Sequence, residues 1–208
     1  LFRDFHSGRG DDGIVIPEVV GERSSQRVLT LVYEPGDHLG ELDEHDYSQS
    51  ARDQTGTALV RLLTSQLFEL GAIHADPNPA NFAFRRDGTL VVYDFGCVKK
   101  LDPWILDVYR YLTHAFLDED YELLDKLLIK IGARDPSGPP VPPDAYAQGR
   151  EIFLPAFEEG HPFDFGESSI RKELIKLAPS FRKYAPSFQP PVPIIFVNRT
   201  VGGHAGNL

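Results

Sequence analysis

Three polar side chains stand at fixed distances around a short predicted hairpin, in the stretch HADPNPANFAFRRDGTLVVYDFG. Asn81 lies five residues after Asp76 on a segment with two prolines, and Asp94 lies eighteen residues after Asp76. Because a hairpin returns on itself, we expect its entrance at Asn81 and its exit at Asp94 to lie close together. Oxygen ligands that converge in this way suit Mg²⁺. The remaining carboxylate, Asp76, can orient an attacking hydroxyl group or accept its proton.

The order of these residues is that of phosphoryl-transfer enzymes of the protein-kinase type: H-x-D-x-x-x-x-N, a hairpin, then D-F-G. The alternative is that the three polar residues only cap turns, where aspartate and asparagine are common. That alternative does not explain the joint order and spacing, so we favour a nucleotide and metal site.

Three neighbouring residues are interpreted as structural support for the site. We expect the ring of His74 to bond to nearby backbone and brace the loop, rather than to carry protons. Phe95 is interpreted as a packing residue. Gly96 allows the chain to turn sharply away from the metal.

The surrounding sequence predicts an α+β fold, with a few strands first and then a mostly helical body that contains the hairpin. Strands are predicted at GIVIPEVV, RVLTLVY, NFAF and TLVVYDF. A helix of period near 3.6 is predicted from about Gln54 to Leu70, with Gly71 as its C′ residue. Later helices are predicted at 103–116, 118–131, 145–157 and 167–177, with a short element at 194–201 and a terminal loop at GGHAGN.

Composition narrows the classes of protein. The net charge of −10 argues against nucleic acid as a partner. The single cysteine, Cys97, excludes an internal disulfide and fits a reducing compartment. No apolar run is long enough to cross a bilayer. We therefore expect a cytoplasmic protein, with peripheral contact with a membrane left open; the basic residues between Glu167 and Lys183 either face solvent or contact such a surface.

The central stretch resembles the HADPHPGN…DFG pattern of the UbiB/AarF/ADCK family of atypical protein-kinase-like proteins. The upstream VIPEVV…RVLTLVYEPG resembles the strands and hinge of that family, and FVNRTVGG resembles its C-terminal arginine segment. The resemblance implies a protein-kinase-like fold. Residues 1–36 would be the end of the N-lobe strands and the hinge. Residues 37–208 would be a helical C-lobe with a catalytic loop at 74–81 and DFG at 94–96.

The resemblance also implies ATP and Mg²⁺ as cofactors and a link to coenzyme Q or other isoprenoid lipid metabolism. By position, Asp76 resembles the catalytic-loop aspartate, and Asn81 and Asp94 resemble the metal ligands. The hinge would run from Leu31 to Gly36. Its residues Val32, Tyr33 and Glu34 would face the adenine, mainly through backbone groups, so that their side chains matter little.

The chain departs from the family pattern at two positions of the loop. Asn78 stands where the family has a second histidine, and Ala80 stands where it has glycine, which narrows the backbone freedom beside Asn81. A phosphate-binding lysine is also missing, since no lysine precedes Lys99. We therefore expect this chain to be the C-terminal lobe of a longer protein, rather than a degenerate family member.

Two alternatives to an atypical kinase or ATPase remain. One is a small-molecule phosphotransferase of the aminoglycoside or choline kinase type, which shares D-x-x-x-x-N but usually carries H-G-D. The other is a pseudokinase scaffold or lipid-binding module without hydrolysis. A protein substrate is disfavoured, because the short CVKKL after DFG leaves no room for a peptide-binding activation segment.

Overall fold

The computed structural model describes residues 1–10, 12–157, 163 and 170–207. It divides the chain into two compact units. The first comprises Leu1–Lys100 and Val197–Leu208, and the second comprises Leu101–Phe196. The predicted lobe division after residue 36 falls inside the first unit and stays a prediction.

A buried hairpin forms the centre of the first unit. Strand β3 (Phe82–Phe84) pairs antiparallel with β4 (Leu90–Val92), and β1 (Ile14–Val15) adds to β4 in parallel. Every hairpin strand residue is at most 1% exposed. Gly88 closes the turn with φ +85°, a left-handed conformation that favours glycine. The predicted hairpin is confirmed.

A second, two-stranded sheet was not predicted. Strand β2 (Ala72–His74) pairs antiparallel with β5 (Val98–Lys100), so the CVKKL segment forms a strand rather than a plain connection. The backbone N–H of Ala75 also donates to the carbonyl of Cys97 at 2.8 Å. This pairing ties the start of the catalytic loop to the residues that follow DFG.

The two upstream strand predictions were wrong in extent. Within GIVIPEVV only Ile14–Val15 forms a strand, and RVLTLVY forms none. The segments instead make isolated bridges, such as Val19 with Leu31. Val28 and Leu29 are 57% and 67% exposed, so they lack the burial that stabilises β-branched and apolar residues in strands.

The main helix of the first unit, α2 (Gln49–Ser65), begins at Ser48, whose hydroxyl accepts a hydrogen bond from the Ala51 N–H. This cap starts the helix earlier than the predicted Gln54. A π-helical turn, Gln66–Leu70, continues α2 and ends at Gly71, which has φ +66°. The predicted C′ role of Gly71 is confirmed. Buried residues of α2 pack against the hairpin: Ala51, Ala58, Leu59 and Leu62.

Helices form most of the second unit. They are α3 (Pro103–Leu117), α4 (Tyr121–Lys130), α5 (Pro143–Phe153) and α6 (Ile170–Phe181). Asp102 and Pro103 begin α3 as predicted, although the Asp102 side chain makes no capping bond. The predicted helix at 167–177 is found from Ile170 onward, and its first three residues lie outside the described part. The first unit contains one further short helix, α1 (Phe2–Ser7).

The terminal segment corrects another prediction. GGHAGN was predicted to be a loop, but α7 runs over Ile195–Asn207, and its residues from Val197 on belong to the first unit. Its buried residues Val197, Thr200 and His204 recur at helical spacing, so tertiary packing overrides the low helix propensity of glycine. Among the described helices, α7 included, none is long and apolar enough to cross a membrane.

Candidate functional site

The predicted catalytic loop, residues 74–81, is built on local hydrogen bonds. Pro79–Asn81 forms one 3₁₀ turn, and Asn78 caps it by accepting the Ala80 N–H at 3.0 Å. Ala80 is not among the described non-glycine residues with positive φ, so alanine introduces no left-handed strain at this position. The departure from glycine therefore leaves the path of the loop to Asn81 intact.

Side-chain bonds join Asp76 to Asn81. The amide nitrogen Nδ2 of Asn81 donates to the carboxylate Oδ2 of Asp76 at 2.9 Å and to its backbone carbonyl at 3.1 Å. Both bonds use the nitrogen end of the amide. The carbonyl oxygen Oδ1 of Asn81 is thus left as the atom that can face a cation.

Backbone pairing sets the place of Asp94. The Tyr93 N–H donates to the Asn81 carbonyl at 3.0 Å, so Asp94 follows directly after a residue paired with Asn81. Asp94 is exposed, and its Oδ1 accepts the Gly96 N–H at 2.7 Å. The structure therefore brings Asp76 and Asn81 together through side chains and adds Asp94 through the register of the hairpin.

Buried and half-buried aromatic rings support this end of the hairpin. His74 is 1% exposed, and its Nε2 donates to the Asp94 carbonyl; because a carbonyl only accepts, Nε2 carries the hydrogen. The backbone N–H of His74 donates to Gln66 Oε1 at 2.8 Å. Phe95 packs edge-on against His74, with ring centroids 5.3 Å apart, and in a tilted arrangement against Phe2, with centroids 4.9 Å apart.

The predicted hinge connects to the same hairpin. The hydroxyl of Tyr93 donates to the Glu34 carbonyl at 2.6 Å, and Arg85 Nη2 donates to the Glu34 carboxylate at 2.6 Å. Tyr33 is 83% exposed and Val32 is 42% exposed. The N–H of Val32 donates to the Glu18 carbonyl, which leaves it engaged within the protein.

Sequence reasoning assigned no role to two residues of α7 that reach this site. Arg199 Nη2 donates to Asp76 Oδ1 at 2.8 Å, and the ring of His204 meets Phe82 edge-on at 5.6 Å. Arg199 lay within the segment that resembles the family's C-terminal arginine segment, which was the available signal. Nothing in the sequence around His204 indicated burial, because glycines surround it.

His204 is buried without a partner for its Nδ1 among the described residues. Burial, and to a smaller extent the nearby His74, together lower the pKa of His204 from 6.5 to about 4. The imidazole is therefore neutral at physiological pH.

A second oxygen-rich group, here called the Asp37 cluster, comprises Asp37, Glu41, His45 and Tyr47. One ligand atom from each of Asp37, Glu41 and His45 lies within 4.8 Å of the others. The Tyr47 hydroxyl lies 2.9 Å from Asp37 Oδ2, and His45 Nδ1 lies 3.0 Å from Asp37 Oδ1. The bonds from Tyr47 and then His45 lower the pKa of Asp37.

Comparison with known proteins identifies the family. The family described as the ABC1 atypical kinase-like domain matches residues 3–128. The chain therefore belongs to the ABC1 atypical kinase-like family, and the predicted membership in the UbiB/AarF/ADCK group is confirmed.

Curated relatives agree with this assignment. The atypical kinase coq-8 of Caenorhabditis elegans, a mitochondrial protein, is 26% identical over 198 residues, which are 91% of this chain and 25% of the relative. The chloroplastic ACTIVITY OF BC1 COMPLEX KINASE 7 of Arabidopsis thaliana is 28% identical over 136 residues, 65% of this chain and 19% of the relative. The chain thus spans about a fifth to a quarter of these relatives.

A solved structure shows the fold. The structure of Rv3197 with erythromycin, from Mycobacterium tuberculosis, matches with a TM-score of 0.68 at 23% identity, over 99% of this chain and 51% of that one. The predicted kinase-like α+β fold is confirmed.

Proposed function

We propose that this chain is the large-lobe part of an ATP- and Mg²⁺-dependent atypical kinase or ATPase. The observation that carries the proposal is the orientation of Asn81. Its amide nitrogen is turned to Asp76, so Oδ1 and the exposed carboxylate of Asp94 are left at adjoining ends of the hairpin. An amide oxygen and a carboxylate are a donor set that fits Mg²⁺.

Each residue has a distinct part in this proposal. Asn81 and Asp94 hold the metal, and Asp76 orients the attacking hydroxyl or water and takes its proton. The remaining backbone groups of Val32, Tyr33 and Glu34 hold the adenine, since the Val32 N–H is bonded to Glu18 and the Glu34 carbonyl to Tyr93. ATP would supply the phosphoryl group, and Mg²⁺ held by Asn81 and Asp94 would neutralise the charge of its phosphates. The chain supplies no lysine ahead of the hinge, so the phosphate-binding lysine is not assigned to it.

The substrate class is also part of the proposal. Only residues 97–102 separate Gly96 from α3, and three of them form β5. This short connection favours a small-molecule phosphate acceptor, or an ATPase cycle, rather than a peptide substrate. The family membership favours a role in coenzyme Q or other isoprenoid lipid metabolism, with a lipid or membrane surface as partner and a cytoplasmic or membrane-peripheral location.

Calorimetric titration of Mg²⁺·ATP tests the proposal. The native chain is expected to bind, and Asp94→Asn to bind roughly 30-fold more weakly or worse, since loss of one partner of a close charge pair costs about 2 kcal/mol or more. Asp37→Asn is the matched control, because it makes the same change in the Asp37 cluster and should leave the affinity unchanged. Equal affinity of Asp94→Asn and the native chain would contradict the metal assignment.

Turnover separates the two alternatives. Phosphorylation of an aminoglycoside or choline would favour the small-molecule phosphotransferase. Nucleotide binding with no hydrolysis above an Asp76→Ala control would favour the pseudokinase.

A further inference from the structure

Helix α7 brings a cationic side chain to the catalytic loop. Arg199 Nη2 donates to Asp76 Oδ1 at 2.8 Å, while Asn81 Nδ2 donates to the other oxygen, Oδ2, at 2.9 Å. The two carboxylate oxygens of Asp76 are thus held by donors from two different elements. The side chains of Arg199 and Asp76 are 57% and 32% exposed, so solvent and a substrate have access to the pair.

The position of Arg199 is fixed by the buried face of α7. Val197, Thr200 and His204 are 0%, 1% and 3% exposed, and His204 packs against Phe82, the first residue of β3. Arg199 lies between two of these buried residues in sequence. It therefore extends from a helix that is anchored on the same hairpin that positions Asn81.

A glycine sets how closely α7 approaches the catalytic loop. A Cβ on Gly203 would overlap Cγ of Pro77, the residue after Asp76, well inside the 3.4–4 Å of ordinary contacts. Gly202 and Gly206 of the same helix have no atom within 4 Å of such a Cβ. Of these three positions, only position 203 has no room for a side chain. A side chain there would force α7 and the loop apart.

We propose that Arg199 is a positioning residue for Asp76, and that the close contact between Gly203 and Pro77 brings Arg199 within hydrogen-bond distance of Asp76. This inference rests on the proposed function. A lone aspartate carboxylate rotates freely, since its terminal torsion is broad. Two donors from separate elements fix the plane of the carboxylate, and Oδ1 keeps a second lone pair for an attacking hydroxyl. Loss of one donor misaligns the carboxylate without touching the hinge or the metal ligands.

Steady-state ATP turnover by the whole chain tests the role of Arg199. Arg199→Ala is expected to lower kcat by roughly tenfold or more while KM for ATP and the calorimetric affinity for Mg²⁺·ATP stay unchanged. Arg199→Lys should recover part of the loss, because the contact uses a single guanidinium nitrogen. Arg3→Ala is the control, since Arg3 is similarly exposed and forms an ion pair with Glu18 at 3.0 Å.

A pair of glycine substitutions in α7 tests whether its close approach to the loop matters for turnover. Gly203→Ala should lower kcat as Arg199→Ala does, whereas Gly202→Ala should not, although both substitutions raise helix propensity equally. The double variant Arg199→Ala/Gly203→Ala should be no slower than Arg199→Ala, because both changes act through one contact.

Three kinetic results would overturn the inference: an unchanged kcat in Arg199→Ala, a faster kcat, or a loss matched by weaker Mg²⁺·ATP binding. Absence of both Mg²⁺·ATP binding and turnover in the native chain would instead overturn the proposed function, whereas absence of turnover alone is expected if hydrolysis needs the phosphate-binding lysine that this chain does not supply. In either case, a double-mutant cycle of unfolding free energies with Arg199→Ala and Asp76→Ala tests the contact itself. Zero coupling would refute the contact, and coupling removed by Gly203→Ala but kept in Gly202→Ala would support it.

Discussion

Strand β3 carries an oxygen-rich group at each end, and the two groups use their oxygens differently. At the start of the strand, Asn81 precedes Phe82, bonds to Asp76 through its side chain, and pairs through its carbonyl with Tyr93, the residue before Asp94. At the other end, the backbone of Asp37 exchanges two hydrogen bonds with Phe84, at 2.8 and 2.9 Å. The same buried strand therefore positions both groups.

The carboxylate oxygens of the Asp37 cluster are engaged in hydrogen bonds within the protein. Asp37 bonds to both Tyr47 and His45, and Glu41 Oε2 accepts the His38 N–H at 2.7 Å. At the other end, Asn81 turns its nitrogen inward, and Asp94 accepts one local bond through Oδ1. The two groups thus differ in which oxygens the fold leaves unused, and under the proposed function the unused oxygens of Asn81 and Asp94 face the cation.

Acid should first weaken the end of the strand near the catalytic loop. Because the folded-state pKa of His204 is lowered from 6.5 to about 4, the neutral ring stabilises the fold fully above pH 6.5. That stability is lost progressively as pH falls from 6.5 to 4, and amounts to roughly 3 kcal/mol by the size of the shift. Urea unfolding of the native chain and His204→Leu at several pH values measures the difference.

His114 provides the control for this experiment, since it is exposed on α3. His114→Leu should keep the native loss of unfolding free energy between pH 6.5 and 4, whereas His204→Leu should lose much of it. The same slope in both variants would mean that the catalytic end is no more acid-sensitive than the rest of the described chain.

Local signals in the sequence predicted the parts of the site that depend on neighbours along the chain. RRDG specified the hairpin, and Gly71 ended its helix, because turn and cap preferences act over a few residues. The pairing of β5 with β2 joins segments more than twenty residues apart, and the helix at GGHAGN depends on burial of His204 against Phe82. Such long-range contacts have no local signal, so the approach of Arg199 to Asp76 was not predictable from residue types alone.

A change at Gly36, the last residue of the predicted hinge, should weaken the Asp37 end of the strand. A Cβ there would lie 2.7 Å from Cβ of Ala83 and 3.1 Å from the Phe84 carbonyl, so Gly36→Ala overpacks the contact with β3. We expect a loss of about 1–3 kcal/mol in unfolding free energy. Gly40→Ala is the control, since nothing lies within 4 Å of its Cβ. An equal loss of unfolding free energy in Gly40→Ala would show that the cost does not come from the contact with β3.

The smallest effect is expected from the hydroxyl of Tyr47, which lies 2.9 Å from Asp37 Oδ2 and 2.7 Å from the Phe84 carbonyl. Tyr47→Phe should cost about 1 kcal/mol at neutral pH, with exposed Tyr111→Phe as control. Because the pKa of Asp37 is lowered, its ionised form stabilises the fold above its unfolded pKa, and this contribution disappears as pH falls through the folded pKa. The cost of Tyr47→Phe should therefore shrink from pH 6 to pH 3. A cost independent of pH would show that the Tyr47 hydroxyl donates to the Phe84 carbonyl rather than to Asp37. One Asp37 oxygen would then be unused, as at Asp94.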